Sequence, residues 1–106
     1  MAKARPLGEP VDATRVRRLP PHFAWADHRL RDRLKDLSPE EIALLFFLHL
    51  AADPNGCSFW SDAALAKKLG LKEGDVIQAR YGLLKHGLIA YRYPLFQVLA
   101  VGEVGS

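Results

Sequence analysis

The sequence predicts a small α+β domain, mainly α-helical, in which a three-helix core is followed by a short β-hairpin and preceded by an extra helix. Helix signals are concentrated between residues 38 and 86, whereas strand-like composition is concentrated after residue 88. A chain of 106 residues with 49% hydrophobic content suits a single core. The expected organisation is a flexible basic arm (1–21), an amphipathic helix (22–37), the main domain (38–101) and a tail (102–106).

Cysteine content and hydropathy exclude several classes of protein. The single cysteine, Cys57, cannot form an internal disulfide, and the N-terminal residues lack the apolar stretch of a secretory signal. The longest apolar run, 42–52, is shorter than the ~20 residues that span a bilayer. We therefore expect a cytoplasmic protein with no membrane partner.

The net charge of +3 is unevenly distributed along the chain. Residues 1–35 hold nine basic and four acidic residues, a net of +5, whereas residues 36–106 hold six basic and eight acidic residues, a net of −2. The positive charge therefore precedes the predicted domain. The first 21 residues also contain four prolines and few large apolar residues, which is typical of a segment without a packed core.

An amphipathic helix is predicted over residues 22–37. Leu30, Leu34 and Leu37 recur at helical spacing, and Asp27 is a suitable N-cap. The arginines at 29, 31 and 33 alternate with acids, so a solvated face with local ion pairs is favoured over a phosphate-binding surface.

The strongest helix signal is Ser38-Pro-Glu-Glu41, in which a capping serine, a proline at the first helical position and a glutamate three residues after the cap occur together. The helix that begins here is apolar on nearly every side and is predicted to end at the turn 53–56. A short strand is expected at 57–60, and Ser61 is expected to cap a helix that Gly70 ends.

Residues 62–86 have the pattern of a helix-turn-helix unit, since a short helix, a glycine turn and a second helix follow one another. In the second helix the inward stripe is predicted to be Val76, Ala79, Leu83 and Leu84. Residues 88–93 and 95–101 are then predicted to be two strands joined at Pro94, with a tyrosine left at the hairpin edge for a protein partner.

Residues 38–101 resemble winged helix-turn-helix proteins of the bacterial MarR-like and replication-initiator type. The resemblance depends on "LAKKLGL", on a helix that ends "LLKHGLI" and on the hairpin that follows. It implies a DNA-binding protein, a transcriptional regulator or an accessory factor of a replicon or mobile element. It also implies that the protein acts as a dimer, here through its N-terminal helix.

The resemblance also implies the position of a DNA site, with the second helix of the unit in the major groove. Its outward positions would be Glu73, Gly74, Asp75, Ile77, Gln78, Tyr81, Gly82 and Lys85. The residues expected to bind DNA are Arg15, Arg17, Arg18, Lys67, Lys68, Lys72, Gln78, Tyr81, Lys85 and Arg92.

Two alternatives stay open in this interpretation. The acids Glu73 and Asp75 would face a polyanion, so the same fold could instead serve as a protein-interaction module that binds no DNA. The basic arm could either lie in a minor groove or be a solvating tail.

No catalytic, cofactor or metal site is expected. The four histidines and Cys57 do not fall at the short paired spacings that metal sites use. The sequence also lacks a glycine-framed nucleophile turn and a phosphate-cradling loop. We therefore expect a binding protein and not an enzyme.

Overall fold

The structure, a computed structural model, describes residues 11–15 and 26–101. These residues form an α+β domain of three α-helices and one three-stranded antiparallel sheet, as the sequence predicts at the level of fold class. Most of the predicted arm and the predicted tail lie outside the described residues. The elements are α1 (Pro39–Ala51), β1 (Cys57–Phe59), α2 (Asp62–Leu69), α3 (Glu73–Lys85), β2 (Ile89–Arg92) and β3 (Leu95–Val98), with short 3-10 helices at Ala13–Arg15, His28–Asp32 and Leu34–Asp36.

The predicted helix boundaries are confirmed by their caps. The Ser38 hydroxyl accepts a hydrogen bond from the Glu41 amide (3.1 Å), and the Glu41 carboxylate accepts one from the Ser38 amide (2.8 Å), which completes a capping box. At the start of α2, the Ser61 hydroxyl accepts from the Ala64 amide. Gly70 ends α2 with φ +68°, a left-handed angle that glycine adopts without a Cβ penalty.

The sheet has strand order β1-β3-β2, so β1 pairs with β3 and lies at one edge. Paired residues point to the same side of an antiparallel sheet, which places Ser58, Phe96 and Tyr91 together on the inner side. The opposite side carries Phe59 beside Leu95. The core between the helices and the inner side of the sheet includes Leu37, Leu44, Leu45, Leu48, Leu65, Ala66, Val76, Ala79, Leu83, Leu88, Ile89 and Phe96.

The prediction of one amphipathic helix over residues 22–37 is wrong for the part that the structure describes. Two short 3-10 helices replace it, although Asp27 caps the first of them as expected and pairs with Arg29 (Nη2 to Oδ2, 2.6 Å). Leu37 is buried, but Leu34 is 40% exposed. Because most helical stability in proteins comes from packing of an apolar face, so little burial does not favour a continuous α-helix.

This segment, residues 26–37, nevertheless packs against the domain. Leu30 contacts the core, and the Arg33 guanidinium donates a hydrogen bond to the His86 carbonyl (2.9 Å) at the C-terminal end of α3. The sequence-based expectation that Arg33 belongs to a solvated face is therefore wrong. Its cation satisfies a carbonyl at a helix C-terminus, where positive charge is favoured.

The hairpin of β2 and β3 is shorter than predicted. Its strands begin and end at 89–92 and 95–98, and Tyr93 and Pro94 form the turn. Tyr93 is 71% exposed, so the predicted exposed tyrosine at the hairpin is present. Among the described residues, no helix combines the length and apolar character needed to cross a bilayer.

Candidate nucleic-acid interface

Helix α3 has one buried face and one open face. Val76, Ala79 and Leu83 are buried against α1 and α2, as predicted, whereas Leu84 is only half-buried. The opposite face carries Gly74, Gln78, Tyr81 and Lys85, which are all exposed and recur at spacings of four, three and four residues. We call these four residues the outer stripe of α3.

Side chains with hydrogen-bonding groups and a cation occupy the outer stripe. Tyr81 is 66% exposed and stands between Gln78 and Lys85 along the helix. An amide, a phenol and an ammonium group are the types of donor and acceptor that read base edges or bind phosphates. The structure therefore brings three of the predicted site residues together on one face.

Arg80, which is not among the residues predicted from the sequence, links α3 to two neighbouring elements. Its guanidinium forms an ion pair with Asp62 at the start of α2, and its Cζ lies 4.4 Å from the centre of the Tyr91 ring in β2. The guanidinium thus ties α3 to both α2 and the hairpin by an ion pair and a cation–π contact. No local sequence pattern marks these contacts, because Asp62 lies 18 residues before Arg80 in another helix.

Gly82 is not an outward position, which corrects the sequence-based assignment. A Cβ built on Gly82 would overlap the Glu41 carboxylate of α1. A side chain at position 82 would have to displace the end of the Glu41 side chain, so Gly82 leaves room for this carboxylate between α1 and α3. Ile77, also predicted to face outward, is half-buried.

The lysines that the resemblance assigns to phosphate binding cluster at the corner between α2 and α3. Lys67 and Lys68 are exposed in the last turn of α2, and Lys72 is exposed directly ahead of α3. Within the described residues, none of these three lysines forms an ion pair. Three ammonium groups are thus available to a polyanion at one end of the outer stripe.

The other predicted basic residues are spread more widely. Arg92 is exposed at the end of β2, next to the hairpin turn. Arg15 ends a short 3-10 helix, and Arg17 and Arg18 lie outside the described residues. The contribution of the arm therefore stays a prediction.

Acidic residues flank the outer stripe. Glu73 and Asp75 are both exposed in the first turn of α3. Because successive helical residues are rotated by about 100°, these acids project to either side of Gly74 and not along the stripe itself. Asp75 and Gln78 line a shallow pocket with Ser38, Glu40 and Glu41, so the flank of α3 that faces α1 is negatively charged.

The described residues hold no group of three or more His, Cys, Asp or Glu side chains placed to bind a metal ion. Comparison of the chain with protein-family models, with curated proteins and with solved structures finds no match.

Proposed function

We propose that the chain is a double-stranded DNA-binding protein of the winged-helix type, in which α3 enters the major groove. The observation that supports this most directly is the outer stripe, an open helix face with Gln78, Tyr81 and Lys85 in a row, opposite a fully packed face. The major groove of B-DNA is wide enough to admit an α-helix. A transcriptional regulator or an accessory factor of a replicon would use such a surface.

The order of elements supports the proposal. Helix α1, strand β1, helices α2 and α3 and a terminal hairpin follow one another in the order that the winged helix-turn-helix resemblance implies. Gly70 takes the left-handed angle in the turn between α2 and α3. In that arrangement α2 lies across the DNA backbone, which would place Lys67 and Lys68 near phosphates.

Base contacts are assigned to the middle and end of the outer stripe. The Gln78 amide can form paired hydrogen bonds with adenine N6 and N7, and Lys85 can reach a phosphate or guanine. Gly74 presents no side chain, so the DNA can approach the first turn of α3 between the two acids. Glu73 and Asp75 then select against other placements of the helix by repelling phosphates.

The proposal is tested by titrating a fluorescent random-sequence duplex with the protein at low salt and following anisotropy at several salt concentrations. Phosphate contacts release counterions, so log Kobs should fall linearly with log salt, with a slope of about −0.9 per contact. Lys67→Ala with Lys68→Ala should flatten that slope by about 2 and weaken binding to all sequences alike.

Lys35→Ala serves as a single-charge control, compared with the double variant per charge removed, because Lys35 is an exposed lysine on the segment ahead of α1. It removes a positive charge without touching the corner between α2 and α3, so the slope should stay within about 0.5 of the wild type. Absence of binding at low salt, or equal effects of the control and the double variant, would refute the assignment.

A second candidate function is a winged helix that binds another protein. Two exposed aromatic side chains favour it: Phe59 is 67% exposed on the outer side of the sheet, and Tyr93 is 71% exposed at the hairpin turn. Exposed aromatic residues are enriched in protein interfaces. A chain that fails to bind DNA at low salt would support this candidate over the first.

A further inference from the structure

Tyr81 is the aromatic member of the outer stripe of α3. Its side chain is 66% exposed. Within the part of the chain that the structure describes, its ring stacks on no other ring and its hydroxyl has no hydrogen-bond partner. Because the burial of apolar surface is favourable, a ligand that covers this ring with an apolar group gains affinity. Tyr81 therefore offers an apolar contact in the middle of an otherwise polar stripe.

The middle of the outer stripe lacks the cations that usually bind guanine. Arginine and lysine bind guanine through its O6 and N7 atoms, whereas amides bind adenine and apolar groups contact the methyl group of thymine. The stripe contains no arginine, and Lys85 lies in the last turn, four residues after Tyr81. A neutral amide at Gln78 and an aromatic ring at Tyr81 therefore suit A·T pairs better than G·C pairs.

Gly74 supports a close approach of α3 to the base edges. A Cβ at this position would meet no described atom within 4 Å, so packing of the domain does not require the glycine. Gly74 is also not one of the glycines with positive φ. Glycine destabilises a helix relative to alanine, and nothing in the described fold offsets this effect. A bare backbone in the first turn lets the helix lie deeper in a groove, so that the side chains of the next turn reach the bases.

We propose that Tyr81 recognises the C5-methyl group of a pyrimidine in the major groove, beside an adenine that Gln78 binds. The inference rests on the proposed DNA-binding function and adds the class of base pair that the site selects. Residues three apart in a helix are separated by about 4.5 Å along its axis, close to the rise of about 3.4 Å between base pairs. Gln78 and Tyr81 thus meet neighbouring base pairs, and the Tyr81 ring covers the methyl group.

Selection from a pool of duplexes with a randomised central segment, using the full chain at low salt, supplies the probe. The enriched site should hold two neighbouring A·T pairs. Replacement of the contacted thymine by uracil removes only the methyl group, and it should weaken binding about fourfold, the value of one buried methyl or methylene group. A G·C pair at the same position, with cytosine or 5-methylcytosine, separates the two sources of the methyl group. Equal binding of these two duplexes assigns the site to thymine alone, and tighter binding of 5-methylcytosine assigns it to both methylated bases.

Three variants test the assignment to Tyr81. Tyr81→Ala should bind the thymine and uracil duplexes equally, whereas Tyr81→Phe should keep the difference, because the methyl contact does not use the hydroxyl. Tyr93→Ala is the matched control, since Tyr93 is a similarly exposed tyrosine (71%) at the hairpin turn, and it should also keep the difference. The readout is the ratio of two affinities for each protein, so a general loss of stability does not change it.

Four results would overturn the proposal, and they separate it from the proposed function. Equal binding of the thymine and uracil duplexes by the wild type refutes this inference alone and leaves DNA binding in place. Enriched sites without A·T pairs do the same. A difference that survives Tyr81→Ala shows that another group contacts the methyl group. Absence of duplex binding at low salt refutes the proposed function and this inference with it.

Discussion

The contact between Gly82 and Glu41 leads to a prediction whose sign depends on a second residue. Replacement of a helical glycine by alanine ordinarily stabilises a helix by about 1 kcal/mol. In this protein the new methyl group would displace the Glu41 carboxylate, which caps α1 by accepting a hydrogen bond from the Ser38 amide. Gly82→Ala therefore gains helix propensity in α3 and loses half of the capping box in α1.

The two effects are of similar size. A net hydrogen bond contributes about 0.5–1.5 kcal/mol, so the loss of the Glu41 contact offsets most or all of the gain at Gly82. The expected change for Gly82→Ala alone is within about 0.5 kcal/mol of zero. In a Glu41→Ala background the carboxylate is already gone, and the same substitution should stabilise the protein by about 1 kcal/mol.

A double-mutant cycle measures this difference. Urea unfolding of the four proteins, followed by circular dichroism, should give a coupling free energy of about 1 kcal/mol between the two sites. Thermal unfolding should show the same coupling as a shift of about 4–8 °C, as expected for a domain of this size. Equal stabilisation by Gly82→Ala in both backgrounds would show that the carboxylate does not occupy the place described here.

Three further predictions concern single side chains. The Ser58 hydroxyl is buried without a hydrogen-bond partner among the described residues, so Ser58→Ala should leave the free energy of unfolding unchanged or raise it by up to about 1 kcal/mol. A decrease in the free energy of unfolding, measured by urea unfolding, would contradict this prediction. Arg80→Met keeps an apolar stem near Tyr91 but removes the charge, so it should lower the free energy of unfolding by about 1–3 kcal/mol. An unchanged midpoint in urea unfolding would show that the ion pair does not contribute to stability. Hydrogen bonds from the Arg29 side chain and amide lower the pKa of Asp27 from near 3.8 to about 2. Because the pKa of Asp27 is lower in the folded state, its contribution to stability is complete above about pH 4 and is lost as the pH falls towards 2. Asp27→Asn should therefore flatten the pH dependence of stability between these values. An NMR titration midpoint of the wild-type carboxyl near 4 would refute the assignment.

The sequence predicts best those features that local interactions determine. The start of α1, the start of α2 and the end of α2 each depend on a serine cap or a glycine within a few residues, and all three were predicted correctly. The inward stripe of α3 was also predicted, since its spacing alone selects Val76, Ala79 and Leu83.

Features that depend on contacts between distant residues were missed. Helical spacing assigned Gly82 to the outer face of α3. This assignment is wrong because Gly82 lies beside Glu41, which is 41 residues earlier in the chain. The role of Arg80 depends on a carboxylate in α2 and a ring in β2, and neither contact leaves a local pattern. The segment 26–37 has helical spacing, but the burial that would stabilise an α-helix is not available to it.

Helix α1 shows the same dependence on contacts with other elements. Its composition predicts a central core helix that is apolar on nearly every side, yet a domain of this size covers only the sides that face α2, α3 and the sheet. Phe46 and Leu50 stay 64% and 55% exposed, because the side of an evenly apolar helix that becomes covered depends on where the other elements pack and not on the sequence of the helix itself.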